Sequence, residues 1–298
     1  MIVLGPTAVG KSGLAVGLAR RFGGEIINGD SMQVYRGFAI GTDKPSLEDQ
    51  AGIPHHLLDF ADPRSQFCAM DFVQETRRVL DELRPRGVLP FIVGGTGLYL
   101  KALLDGLFPG PGRDPEVRQR LGAEAAAQGL ESLRLKLEAV DPDYARTIGR
   151  NDRLRIIRAL EVFEVSGMPM SRHFQHTSGF VQDFHCLRIG LKLDRQELTK
   201  RIETRVDKMF ERGLVAEVEA LLGAGLPEDA PPFRALGYKQ VLLALHHRIS
   251  LEEAVALTKQ DTRQYAKRQM TWFRKMAGVR WFAPLDFEPV AALVEAYV

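Results

Sequence analysis

Two cysteines in 298 residues, Cys68 and Cys186, form no C-x-x-C pair, so the chain offers neither a disulfide framework nor a thiolate zinc site. Long apolar runs are missing too. No segment approaches a membrane span and no basic leader precedes a hydrophobic stretch, the first strand being expected from residue 2. Net charge is only +2, which argues against a globally basic, indiscriminate binder of polyanions. Internal repeats and low-complexity tracts are absent. What remains is a globular chain, expected to be cytosolic, monomeric and free of the membrane, with length for one large domain or a domain carrying an insertion.

Against these absences stands one strong motif. Gly5, Pro6, Thr7, Ala8, Val9, Gly10, Lys11 and Ser12 read G-x-x-x-x-G-K-[ST], between a short apolar strand (Ile2 to Leu4) and an amphipathic helix. Backbone amides of such a loop converge on phosphate oxygens, Lys11 adds a point charge, and Ser12 has a hydroxyl suited to Mg²⁺. A phosphoryl-transferring protein with this loop usually has an acid at the end of a core strand. Here the best strand, LPFIVGG, runs into Gly94-Gly95-Thr96-Gly97 with no carboxylate. The acid in a comparable position is Asp30, beyond the strand Glu25 to Asn28. On the residues alone Asp30 is a kinase's magnesium ligand, a base acting on an acceptor, or an N-cap.

Strands and helices alternate up to about residue 104, with a helix near 69–83 that places Phe72, Thr76, Val79, Leu80 and Leu83 on one face. This predicts an α/β fold, a parallel sheet flanked by helices. From 113 to 185 only helical periodicity appears, with breaks at Gly129 and Asp141-Pro142, so an all-helical insertion domain is expected there between core segments 1–112 and 186–298. VRWF (279–282) is a candidate final strand.

Charge is unevenly spread. Lys259, Arg263, Lys267, Arg268, Arg274, Lys275 and Arg280 flank the single acid Asp261, and Arg146, Arg150, Arg153, Arg155 and Arg158 surround Asp152. Charges so one-sided are expected to meet a polyanion, although solvated helix faces are the plain alternative. Tyr265 and Trp272 are base-stacking candidates or core anchors. His173-x-x-His176 has no fixed thiolate pair or carboxylate partner and is not read as a metal site. His55-His56 is open between core and substrate-positioning roles.

GPTAVGKS (5–12), DSMQVY (30–35), IGTDKP (40–45), GIPHHLLD (52–59), VGGTGLYLKALL (93–104), NDRLRIIRALEV (151–162), ALGYKQ (235–240) and TRQYAKRQMTWFRK (262–275) occur in one order along nearly the whole chain. Together they resemble the tRNA dimethylallyltransferases. The resemblance implies a P-loop NTPase-like core and transfer of a dimethylallyl group from dimethylallyl diphosphate to N6 of adenosine 37, in the anticodon stem-loop of tRNA, with Mg²⁺ as cofactor. It implies Asp30 as general base and a reaction centre that includes Lys11, Thr96 and Arg118. It also implies tRNA contacts from Asp30, Ser31, Met32, Gln33, Thr96 and Arg118, and from Leu154, Arg155, Ile156, Ile157 and Arg158. A last contact stretch comprises Thr262, Arg263, Gln264, Tyr265, Ala266, Lys267, Arg268 and Gln269. The absence of a C-terminal zinc finger favours the bacterial form. The loop would then grip a leaving group instead of a group in transfer. The alternatives are an adenylate isopentenyltransferase, which has no need of two basic clusters, a small-molecule P-loop kinase, and an RNA-binding module without activity.

Overall fold

Ile2–Leu4 (β1) is apolar at every position because both of its faces are covered. The computed structural model describes residues 1–108, 110–175, 177, 179–180 and 184–298. In it, Glu25–Asn28 (β2), His55–His56 (β3), Pro90–Gly94 (β4), Arg188–Leu191 (β5) and Val279–Phe282 (β6) join β1 in one parallel sheet, ordered β3-β2-β4-β1-β5-β6. Val3 is in register with Val93 on one side and Ile189 on the other. Lys11–Phe22 (α1), Leu47–Gln50 (α2), Ala69–Leu83 (α3) and Gly97–Asp105 (α4) alternate with the first four strands. Pro115–Gln128 (α5), Leu130–Val140 (α6), Pro142–Thr147 (α7), Arg153–Ser166 (α8) and Met170–Phe174 (α9) follow without a strand among the described residues. After β5 come Arg195–Glu211 (α10), Leu214–Gly223 (α11), Tyr238–Leu245 (α12) and Leu251–Phe273 (α13), and after β6 Phe287–Glu295 (α14). No helix of the described residues is long and apolar enough to cross a membrane.

The chain divides into two units, Met1–Ala102 with Asp183–Val298, and Leu103–Gln182. In the first unit Val3, Leu14, Leu18, Ile26, Phe91, Val93, Ile189, Leu191 and Val290 form the core against the sheet, each worth about 1.5–3 kcal/mol when fully buried. A second core in this unit joins Val34, Tyr35 and Phe38, beyond β2, to Met209, Leu214, Phe233 and Tyr238. The second unit has its own core from Leu121, Leu133, Leu137, Ile156 and Leu160, and Asp114, Asp141 and Asp152 cap its helices as N-terminal acceptors. The division falls inside α4, at Leu103, and not at 113. The physical reason is local: Phe180 N donates to Leu103 O (3.2 Å), so the last turn of α4 belongs with the returning chain.

His55 and His56 form the edge strand, a structural place that the sequence left open. His56 Nε2 lies 2.6 Å from Glu25 Oε2, and Arg86 also pairs with Glu25. Burial pushes the Glu25 carboxyl up, but these bonds outweigh it and hold the group below the usual carboxylate range. His173 is buried with Nε2 3.1 Å from Ser166 Oγ; His176 lies outside the described residues.

Candidate active site

Three loops of the first unit converge at the carboxyl ends of β1, β2 and β4, the usual place for a ligand in a sheet of this kind. The first is the phosphate-binding loop. Gly10 takes φ +103° at the N-terminus of α1, a conformation that other residues rarely adopt. A Cβ on Gly5 would lie 2.8 Å from Leu191 O, so the loop packs directly on β5. Lys11 Nζ donates to Pro6 O (2.7 Å), folding back across the loop. Burial depresses the Lys11 ammonium to about 8; Asp30 opposes the shift and Arg205 adds to it.

The second loop follows β2. Asp30 N donates to Asn28 Oδ1 (3.1 Å), and Asp30 Oδ1 accepts from Met32 N (2.8 Å). No helix follows, so the N-cap reading of Asp30 is not met: it closes an Asx turn. Its Oδ2 makes no hydrogen bond among the described residues. Gln33 spends both donors on Thr42 O and Asp43 O (3.0 Å each), which fixes the loop at 39–44.

The third loop leaves β4. Thr96 Oγ1 accepts from Ser31 N (3.0 Å) and donates to Ser31 Oγ (3.3 Å), tying it to the Asp30 turn. Burial pushes the phenol of Tyr265, on α13 beside Thr96, above the usual range. Gln269, also on α13, accepts from Thr7 N and donates to Gly95 O, both at 2.8 Å.

Two cavities meet here. One, about 320 Å³, is polar and lined by Ala8, Gly10, Lys11, Ser12, Asn28 and Asp43 among others. The other, about 330 Å³, includes Met32, Val206, Met209 and Leu236 in its wall. Thr7, Asp30 and Arg205 line both. Asp30 therefore faces a phosphate-sized polar space and a partly apolar one at once. Arg205 was not singled out from the sequence, because α10 interleaves its bases with acids. Its Nη1 donates to Thr7 Oγ1 (2.8 Å) and its Nε lies 3.3 Å from Asp43 Oδ2. Basic residues recur at 201, 205, 208 and 212 along one face of α10, which also carries Glu197, paired with Arg201 at 2.9 Å.

The basic clusters are less one-sided than the sequence implies. Acids of α10 meet two charges of α13: Lys259 pairs with Asp207 (2.6 Å) and Arg263 with Glu203 (2.7 Å). Lys267, Arg268, Arg274, Lys275 and Arg280 have no carboxylate within ion-pair distance among the described residues, and Arg268 lies over the Tyr265 ring at 5.8 Å. Thr262, Ala266 and Gln269 are buried, leaving Gln264, Lys267 and Arg268 as the exposed members of that stretch. Trp272 packs on Gly97, where a Cβ would come within 3.1 Å of the indole.

In the second unit, Arg118 Nε (2.9 Å) and Arg158 Nη1 (2.7 Å) both bind Glu161, which is fully buried and also accepts from Asp114 N (2.7 Å). Burial pushes Glu161 up, and these bonds hold it below the usual range. Arg146 pairs with Asp143, and Arg155 with Asp152. Ile156 is wholly buried, so its side chain serves the core and is not open to a ligand, whereas Leu154 is 82% exposed and Ile157 partly buried.

No group of three or more His, Cys, Asp or Glu side chains is placed to hold a metal among the described residues. A magnesium ion in the polar cavity would rely on Ser12 and on ligand oxygens, the usual arrangement for Mg²⁺ with phosphates.

The model of the family described as IPP transferase matches residues 33–276, and one described as isopentenyl transferase matches residues 1–60. The chain belongs to the IPP transferase family. Within that family it is 50% identical, over 94% of its length and 91% of the relative's, to a tRNA dimethylallyltransferase 2 of Geotalea uraniireducens. It is 46% identical to a tRNA dimethylallyltransferase of Geobacter metallireducens, covering 100% and 96% of the two chains. Among solved structures it resembles the tRNA isopentenylpyrophosphate transferase of Bacillus halodurans, with 40% identity, a TM-score of 0.72 and coverage of 99% and 94%. It also resembles a eukaryotic dimethylallyltransferase acting on tRNA, with 29% identity, a TM-score of 0.81 and coverage of 99% and 76%. The P-loop NTPase-like parallel sheet is thus the IPP transferase fold.

Proposed function

We propose that the protein transfers the dimethylallyl group of dimethylallyl diphosphate to N6 of adenosine 37 in tRNA, releasing diphosphate. The observation that carries this reading is Asp30, which lines both the phosphate-loop cavity and the partly apolar one.

An adenine amine is a poor nucleophile because its lone pair is delocalised into the ring. Asp30 accepts its proton as the carbon–nitrogen bond forms, worth about 10²–10⁴ in rate for a general base. The loop amides, Lys11 and Arg205 hold the diphosphate where charge grows as the allylic bond breaks. Ser12 would hold Mg²⁺, which neutralises phosphate charge when bound. Met32, Val206, Met209 and Leu236 suit the hydrocarbon chain, and Lys267 and Arg268 suit the RNA backbone. A kinase reading lacks its strand-end acid, since β4 leads into Gly94-Gly95-Thr96.

The test is incubation of labelled dimethylallyl diphosphate, Mg²⁺ and unmodified tRNA, beside a transcript with guanosine at position 37. Label is expected in the first RNA alone; equal label in both would refute the acceptor, and label in neither the reaction.

A further inference from the structure

We infer that Gln269 is a positioning residue that braces the diphosphate loop against the acceptor side of the site, and that it is not an RNA contact. It lies in a stretch whose exposed members, Lys267 and Arg268, suit RNA, yet it is 4% exposed and both atoms of its amide are spent inside the protein. Its Oε1 accepts from Thr7 N, in the phosphate loop, and its Nε2 donates to Gly95 O, at the end of β4. A planar amide fixes the offset between those two bonds, so the separation of the two loops is set by one side chain. A Cβ on Gly95 would collide with Nε2, which accounts for the glycine there.

The neighbouring turns of α13 lie along the same loop: Tyr265 sits beside Thr96, and Trp272 covers Gly97. Thr96 in turn holds the Asp30 turn through Ser31 N. The path from the diphosphate to the base thus runs Thr7, Gln269, Gly95, Thr96, Ser31, Asp30. The inference rests on the transferase reading: the donor carbon is placed by the phosphate loop and the acceptor nitrogen by Asp30. The two must approach within about 3–3.5 Å, and a misplacement of about 1 Å costs on the order of 10²-fold in rate.

The test compares the full-length protein with Gln269→Met, which keeps length and loses both bonds, and Gln269→Glu, which keeps the acceptor for Thr7 N but sets two oxygens together at Gly95. Single-turnover transfer at saturating substrates, KM for dimethylallyl diphosphate and Kd for tRNA are measured, with thermal unfolding to verify the fold. Gln269→Met should lose about 10- to 100-fold in transfer rate with tRNA Kd within about twofold of wild type. Gln269→Glu should lose less, and it carries the test alone if Gln269→Met does not fold. A folded variant transferring at the wild-type rate overturns the inference, as does a raised tRNA Kd with an unchanged saturated rate. Absence of transfer by the wild-type protein would instead refute the transferase reading.

Discussion

Lys11 sets a pH dependence that an ordinary lysine would not show. Its ammonium is depressed to about 8, chiefly by burial in the folded loop, against 10.5 unperturbed. A bound diphosphate places several negative charges beside it, so the complex keeps the lysine protonated throughout. With a free-protein value of about 8, roughly nine in ten molecules carry the charge at about pH 7 and roughly one in ten at about pH 9. Donor affinity should therefore fall about tenfold over that interval, equivalent to about 1.4 kcal/mol. The donor's own phosphate titrates near 6 and contributes little there. Calorimetry with dimethylallyl diphosphate, without tRNA so that no transfer occurs, reads the affinity. Repeating it in buffers of different ionisation heats reads the proton uptake, which should approach one proton per donor at the alkaline end. Lys11→Arg, charged at every accessible pH, should abolish both effects. A flat affinity across the interval, or the same tenfold loss in Lys11→Arg, would refute the reasoning.

Three other outcomes are expected. Asp30→Asn should cut single-turnover transfer by about 10²–10⁴ while tRNA Kd stays within about twofold; preserved turnover would assign the base elsewhere. Lys267→Ala and Arg268→Ala should each reduce the slope of log affinity for tRNA against log salt by about 0.7–0.9, and an unchanged slope would remove that residue from the phosphate contacts. Glu217 accepts from Ala39 N and Ile40 N and from the hydroxyl of buried Tyr238, so Glu217→Ala should cost about 2–4 kcal/mol in urea unfolding, and a loss under 0.5 kcal/mol would contradict the clamp on that loop.

The phosphate loop and the parallel character of the sheet were legible because each is written in consecutive residues: glycine spacing for the one, and short apolar runs alternating with helical periodicity for the other. Other features depend on partners far along the chain. Glu203 and Asp207 neutralise part of the basic stripe across a helix pair, and a composition window around 259–280 contains neither. Arg205 reaches Thr7 from 198 residues away, from a helix that carries acids as well as bases. Gln269 looked like one more polar member of a basic segment, and only packing distinguishes it from Lys267. The edge strand at His55–His56 is too short for periodicity to register, and its pairing with β2 follows from the crossover. Burial of Ile156 against exposure of Leu154 was likewise undecided, since an apolar residue on either side of an arginine reads the same in sequence.

The position of β1 between β4 and β5 has a consequence for synthesis. One edge of β1 can pair as soon as Pro90–Gly94 has emerged, but the other waits for Arg188–Leu191. The roughly eighty residues of Leu103–Gln182 lie between those events, about 4–16 s of translation at typical rates. Throughout that time the most apolar strand of the protein presents an open edge on the ribosome, flanked by the loop that will hold the diphosphate. The helical unit, with its own core, can fold during the same interval, so it delays closure of the sheet without itself waiting for it. Slowing or speeding translation across that stretch should therefore change the yield of soluble protein more than the same change placed after β5.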